Sequence, residues 1–107
     1  MTVTYDLYGA RCLCLLQAKV HAENSLGVSF EERNSTYQGG SYYIFGNRGA
    51  ENFILKLNLD PFDEEPVEQD FSGFSVLLYI NATTRSSDIE RAIRDGGGFE
   101  LLRHEVF

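Results

Sequence analysis

Three features of the sequence predict an α+β domain with one mostly antiparallel sheet of five to six strands and two helices on one face. Short segments alternate apolar and polar residues at the two-residue period of a half-buried strand, most cleanly from Asn52 to Leu59. Glycine-rich turns join the middle three of these segments, the pattern of an antiparallel meander. Two other stretches carry helical periodicity, one before the meander and one near the end of the chain. The 107 residues are 43% apolar and 23% charged, which suits a single globular domain spanning 1–107. A chain of this length buries roughly two-thirds of the surface its unfolded form exposes, enough for one core without covalent staples.

The elements follow in order. Residues 2–8 read as a short strand or an extended lead-in that Gly9 interrupts. From Ala10 to Ser25, Leu13, Leu16 and Val20 recur at helical spacing, Leu15 widens the stripe, and Arg11, Lys19 and Glu23 fall opposite it. Gly27 stands where a helix C-cap glycine is expected. Val28 and Phe30 open the first meander strand, and Ser41 to Phe45 is the second. The third runs from Asn52 to Leu59, with Phe53, Leu55, Leu57 and Leu59 inward. The opposite face of the meander then carries Ser29, Glu31, Arg33, Tyr42, Lys56 and Asn58, and is either solvent or interface. After a loop over 60–73, the near-continuous apolar run from Phe74 to Ile80 reads as a central strand buried on both faces. Ser87-Asp88-Ile89-Glu90 matches a capping box, and Ile89, Ala92 and Ile93 supply the buried side of the helix it starts. Gly96-Gly97-Gly98 ends that helix, and Phe99 to Val106 is a last strand, expected against the central one.

The residues offer little catalytic chemistry. His21 and His104 are the two histidines, and each is isolated in sequence from a partner; His104 could pair with Glu105 or Asp6. No G-x-S-x-G, H-E-x-x-H or G-x-x-x-x-G-K-[ST] pattern occurs. The glycines at 39–46 precede a strand and those at 96–98 follow a helix, so neither group matches a phosphate loop. Cys12 and Cys14 fall short of the four ligands a structural zinc needs and read as free thiols of a reducing compartment. No catalytic residue, metal or cofactor is therefore expected. MTVTYDLYGA has neither a basic region nor a long apolar run, which predicts a cytoplasmic chain, and no segment has the ~18 apolar residues of a membrane helix. A formal net charge of -7 argues against direct contact with nucleic acid and for basic protein partners.

The outstanding feature is the segment from Asp60 to Phe71. Asp60, Asp63, Glu64, Glu65, Glu68 and Asp70 are six acids within residues 60–70, with no base among them. Three explanations compete: a solvated loop, a hard-cation site using Asp60, Asp63 and Glu64, and one half of a protein interface. The spacing fails the EF-hand pattern, because Phe62 and Glu65 stand where a ligand and a glycine are required. Pro61 and Pro66 stiffen the segment and so lower the entropy lost on binding, which favours the interface. Arg33, Tyr37 and Tyr42 form a second candidate contact surface of residue types enriched at binding hot spots.

The run from Leu26 to Tyr43 (LGVSFEERNSTYQGGSYY), Leu59-Asp60-Pro61 with its acidic tail, Leu77 to Thr83 (LLYINAT) and Leu101-Leu102-Arg103 together resemble small bacterial immunity proteins. These are the antidotes of contact-dependent growth inhibition and related polymorphic toxin systems. The resemblance covers most of the chain and assigns no individual residue a role. It implies a cytoplasmic protein that binds and blocks one cognate toxin C-terminal domain, often a nuclease. A nuclease cleft is basic because it holds phosphate, so an acidic inhibitor complements it. A small adaptor or oligomeric binding module that pairs through exposed strand edges is an alternative, as is an enzyme of unrecognised type using His104.

Overall fold

Burial sorts the strands into interior and edge positions. In the computed structural model, which describes residues 2–11, 13–35, 40–47, 49–60 and 64–107, the order along the chain is β1 (Thr4–Ala10), α1 (Leu15–Leu26), β2 (Glu31–Ser35), β3 (Gly40–Gly46), β4 (Asn52–Leu57), β5 (Val76–Thr83), α2 (Ser86–Gly96) and β6 (Glu100–Val106). The six strands form one sheet in the order β2-β3-β4-β5-β1-β6. Every neighbouring pair is antiparallel. The fold is a single α+β domain, as its alternating segments predict.

The three-strand meander β2–β4 and the central place of β5 agree with expectation, except that β2 starts at Glu31, so Val28 and Phe30 precede the strand and pack on the core from the lead-in. The ends of the chain do not. Leu7, Tyr8, Gly9 and Ala10 are all buried, so β1 is an interior strand rather than a lead-in. Gly9 does not interrupt it: a Cβ there would lie 2.7 Å from Leu102 Cδ1 and 2.8 Å from Phe74 Cδ1, so the glycine lets both side chains close over the strand. β1 takes the place beside β5 that was expected of the last strand. β6, with six of its seven residues exposed, pairs with β1 and forms the sheet edge.

Both helices cover one face. Ala18, Ala22, Ile89, Ile93 and Phe99 meet Tyr8, Phe53, Leu55, Val76, Leu78 and Ile80 in the core. The buried stripe of α1 differs from the expected one: Leu16 is 61% and Val20 48% exposed, while Ala18 and Ala22 are fully buried. Small residues at the contact let a helix approach its neighbours closely, so the alanines seat α1, with Leu13, Leu15 and Leu26 packed beside them and Leu16 and Val20 turned out. The helix also begins later than Ala10. Cys14 is its N-cap, accepting from the Gln17 amide at 3.5 Å while its own amide donates to Gln17 Oε1 at 3.1 Å. Gly27 closes α1 with φ 67°, a left-handed value that glycine adopts without a steric penalty. α2 lacks the expected capping box. Arg85 is its N-cap, with no side-chain bond, and the helix end is tied down from outside: the Ser86 hydroxyl donates to Asp6 Oδ2 at 2.6 Å.

Candidate protein-binding face

The face of the sheet away from the helices is only partly wet, because the segment after β4 folds back across it. Asn58 organises that return. Its side-chain amide donates to the carbonyls of Phe71 (3.0 Å) and Phe74 (2.9 Å), and its Oδ1 accepts from the Glu68 amide at 2.9 Å. Asp60 N–H donates to the Glu65 carbonyl at 2.7 Å, and Glu64 N–H to the Asp60 carbonyl at 3.0 Å. Glu64 adopts φ 60° to close this turn, a conformation that costs a non-glycine residue about 1–2 kcal/mol. A single 3-10 turn over Gln69–Phe71 follows. Phe71 and Phe74 then pack edge to face at 6.5 Å, and the Arg11 guanidinium lies 4.0 Å from the centre of the Phe74 ring. Of the six residues expected to face solvent or a partner, Ser29, Glu31 and Arg33 are exposed and the other three are buried. Lys56, Asn58 and Tyr42 are 6%, 7% and 9% exposed, while Leu57 and Leu59, expected inward, are 38% and 45% exposed.

The acids of this segment divide into two groups. Glu68 is turned onto the sheet: one oxygen accepts from the Tyr79 hydroxyl and the other from Arg103 Nη1, both at 2.9 Å. Burial, then the Glu68 contact, raises the Tyr79 hydroxyl well above its ordinary range. Burial lowers the Lys56 ammonium, and the charges of Asp60 and Glu68 oppose that shift. Lys56 and the Tyr79 hydroxyl are therefore shielded on this face, while Arg103, on the edge strand, reaches Glu68 from the side. Glu64, Glu65 and Asp70 stay exposed on its outer side, with Gln69 Nε2 3.4 Å from Glu65 Oε2. Asp63 and Tyr37 lie outside the described residues. Arg33 and Tyr42 are cross-strand partners, and the β-ladder puts them on the same sheet face as the acidic segment. Arg33 is exposed and paired with Glu31 at 2.9 Å, whereas Tyr42 is buried.

Beside the segment is a cleft of about 440 Å³ across β5, β1 and β6, lined mainly by Tyr5, Leu7, Tyr79, Asn81, Arg103 and Phe107. A second hollow of about 210 Å³, lined by Ile54, Lys56, Tyr79 and Asn81, adjoins it through the two shared residues. Tyr5 and Phe107 stack edge to face at 5.3 Å and form one wall. None of these cleft residues was legible as a site in the sequence. Tyr5 and Leu7 do alternate, but only the strand order places them beside Tyr79.

A scan of protein-family models found no match to this chain, and neither did a search of curated proteins. Among the described residues, no helix is long and apolar enough to cross a membrane.

Of the two acids the sequence offered His104, the structure pairs it with Asp6. His104 Nδ1 lies 2.6 Å from Asp6 Oδ1, and Asp6 is 3% exposed. Ser86 bonds the other oxygen of the same carboxylate, so serine and histidine flank the acid instead of bonding each other. Nucleophile activation needs the hydroxyl on the imidazole, and this arrangement instead ties β1, β6 and the start of α2 together. Among the described residues, no three His, Cys, Asp or Glu side chains converge as a metal site would require.

Proposed function

We propose that this chain is an inhibitory binding protein that neutralises a basic toxin domain, in the manner of bacterial immunity proteins, and acts in the cytoplasm. One observation carries the proposal: Glu68 and Asn58 fasten the acidic segment to the sheet, so Glu64, Glu65 and Asp70 project from an ordered support. Carboxylates presented this way lose little conformational entropy on meeting a cationic surface. The net charge of -7 adds long-range attraction to such a surface. A nuclease domain fits the charge argument best, since its substrate-binding cleft must attract phosphate. Inhibition then requires only occlusion of the cleft, and no chemistry by the inhibitor.

The test is co-purification with the toxin domain encoded immediately upstream, followed by charge reversal of Glu64, Glu65 and Asp70 to lysine. Binding should weaken by at least tenfold, and its dependence on salt should flatten. Unchanged affinity and salt dependence would exclude the acidic segment as the contact. Edge-strand assembly is less favoured by β6, which carries Glu100, Arg103, His104 and Glu105, the charged type of edge that resists pairing.

A further inference from the structure

We infer that the cleft on the open sheet face receives an apolar side chain of the same basic partner, aromatic or long aliphatic and flanked by arginine or lysine. This depends on the acidic segment being a contact, and it adds the anchor that charge alone does not supply. The cleft floor is Leu7, 1% exposed, and its walls are the Tyr5, Tyr79 and Phe107 rings. Its volume of about 440 Å³ lies within the range of sites that bury a ligand group. Its one guanidinium is already committed: Arg103 bonds Glu68 at 2.9 Å and meets Glu105 at 3.3 Å. Asp6 and Glu105 also line the cleft, so its interior offers rings to an occupant beside one guanidinium and two carboxylates that are already bonded within the chain. Further carboxylates, Glu64, Glu65 and Asp70, lie outside it on the acidic segment. Glu68 joins the two regions, because the residues it bonds, Tyr79 and Arg103, both line the cleft.

This layout matches the usual anatomy of a tight interface, an apolar centre with a charged rim. The rim is anionic, so the occupant's flanks are cationic. A second copy of this chain is disfavoured, since it would bring another net charge of -7 against the same rim. Tyr5 and Phe107 are 39% and 67% exposed and are the surfaces an anchor would cover.

The test uses the full chain and the upstream toxin domain, with affinity measured across a salt series. Tyr5→Ser and Phe107→Ser should each weaken binding by about 10–100-fold, the range of a hot-spot truncation. They should leave the slope of log Kd against log salt unchanged, whereas Glu64→Lys with Glu65→Lys should flatten it. Footprinting wild-type protein with hydroxyl radicals needs no variant: oxidation of Tyr5 and Phe107 should fall when the complex forms. Affinities within twofold of wild type for both serine variants, with no protection of either ring, overturn the anchor but leave the acidic contact standing. Loss of binding in the serine variants with an inert charge reversal instead removes the acidic contact and the basic flanks. Self-association that Phe107→Ser abolishes makes a second copy the occupant, and the inference falls.

Discussion

Glu51 shows how one carboxylate reinforces the join between the meander and α2. It accepts from the Thr83 hydroxyl at 2.7 Å and receives a two-pronged contact from Arg85, with distances of 2.7–3.2 Å. The Arg85 hydrogen bond is the main cause holding the Glu51 carboxyl below the usual carboxylate range, with Thr83 assisting and burial opposing. A carboxyl with a lowered folded-state pKa binds fewer protons folded than unfolded in this region. Its stabilisation is therefore complete above the usual carboxylate range and is lost as pH falls through the lowered value. Glu51→Gln should cost about 1 kcal/mol at neutral pH, and urea unfolding at descending pH should show the gap from wild type closing. Glu68 is the corresponding residue of the candidate site. Glu68→Ala removes the acceptor of the half-buried Tyr79 hydroxyl and leaves Arg103 only its 3.3 Å contact with Glu105, and should cost about 1–3 kcal/mol in urea unfolding. Limited proteolysis of that variant should cut within 60–70 faster than in wild type. The six acids were plain in the sequence, but their division was not. Nothing local to Glu68 distinguishes it from Glu64 or Glu65; its role comes from Tyr79 and Arg103, which are 11 and 35 positions away.

At the scale of elements, β1 is where local pattern and structure diverge most. Gly9 read as a break because glycine weakens strands that it does not serve. Here the missing side chain is the reason the strand can be covered. Gly9→Ala forces Phe74 and Leu102 outward and should cost about 1–3 kcal/mol by denaturant unfolding, the range for overpacking a filled site. It should also loosen the 3-10 turn beside Phe74, detectable as faster amide exchange at Phe71 and Phe74, whose N–H groups bond the Glu68 and Phe71 carbonyls at 3.0 Å. α1 gives a parallel lesson. Of the expected stripe, Leu13 and Leu15 pack on the core while Leu16 and Val20 do not, and the fully buried residues are alanines, which allow the closest approach. α2 followed its pattern, with Ile89 and Ile93 at 2% and 1% exposed, while its expected serine–glutamate cap was replaced by the Ser86–Asp6 bond.

For the whole molecule, the excess of acid matters most during encounter. If a basic partner is met as proposed, the association rate should fall about tenfold between roughly 15 and 150 mM salt, with the dissociation rate changing much less. Stopped-flow or surface-based kinetics with the toxin domain would measure both. Similar salt responses of the two rates would place the charge effect in the bound complex and not in steering. The two edges of the sheet differ in what they expose. β2 ends the meander with Glu31, Glu32 and Arg33 exposed, and β6 ends the other side with mixed charge beside the aromatic cleft. The proposed contact lies toward the β6 side, on the acidic segment and the cleft beside it, with Arg33 on the far edge of the same face.

The amino-acid sequence alone determined the α+β class, the meander, the central apolar strand, the second helix and the existence of an acidic segment that contains two prolines. Each is written in a local signal: a period of two or 3.6, a turn residue, or a run of charge. Tertiary structure alone decided that β1 separates β5 from β6, that Lys56 and Asn58 lie beneath the returning chain, and that Asp6 holds both His104 and Ser86. It also decided that three aromatic residues far apart in sequence share one cleft. Strand order and burial depend on contacts between distant segments, and the free energy that selects among them is not carried by any one stretch of residues.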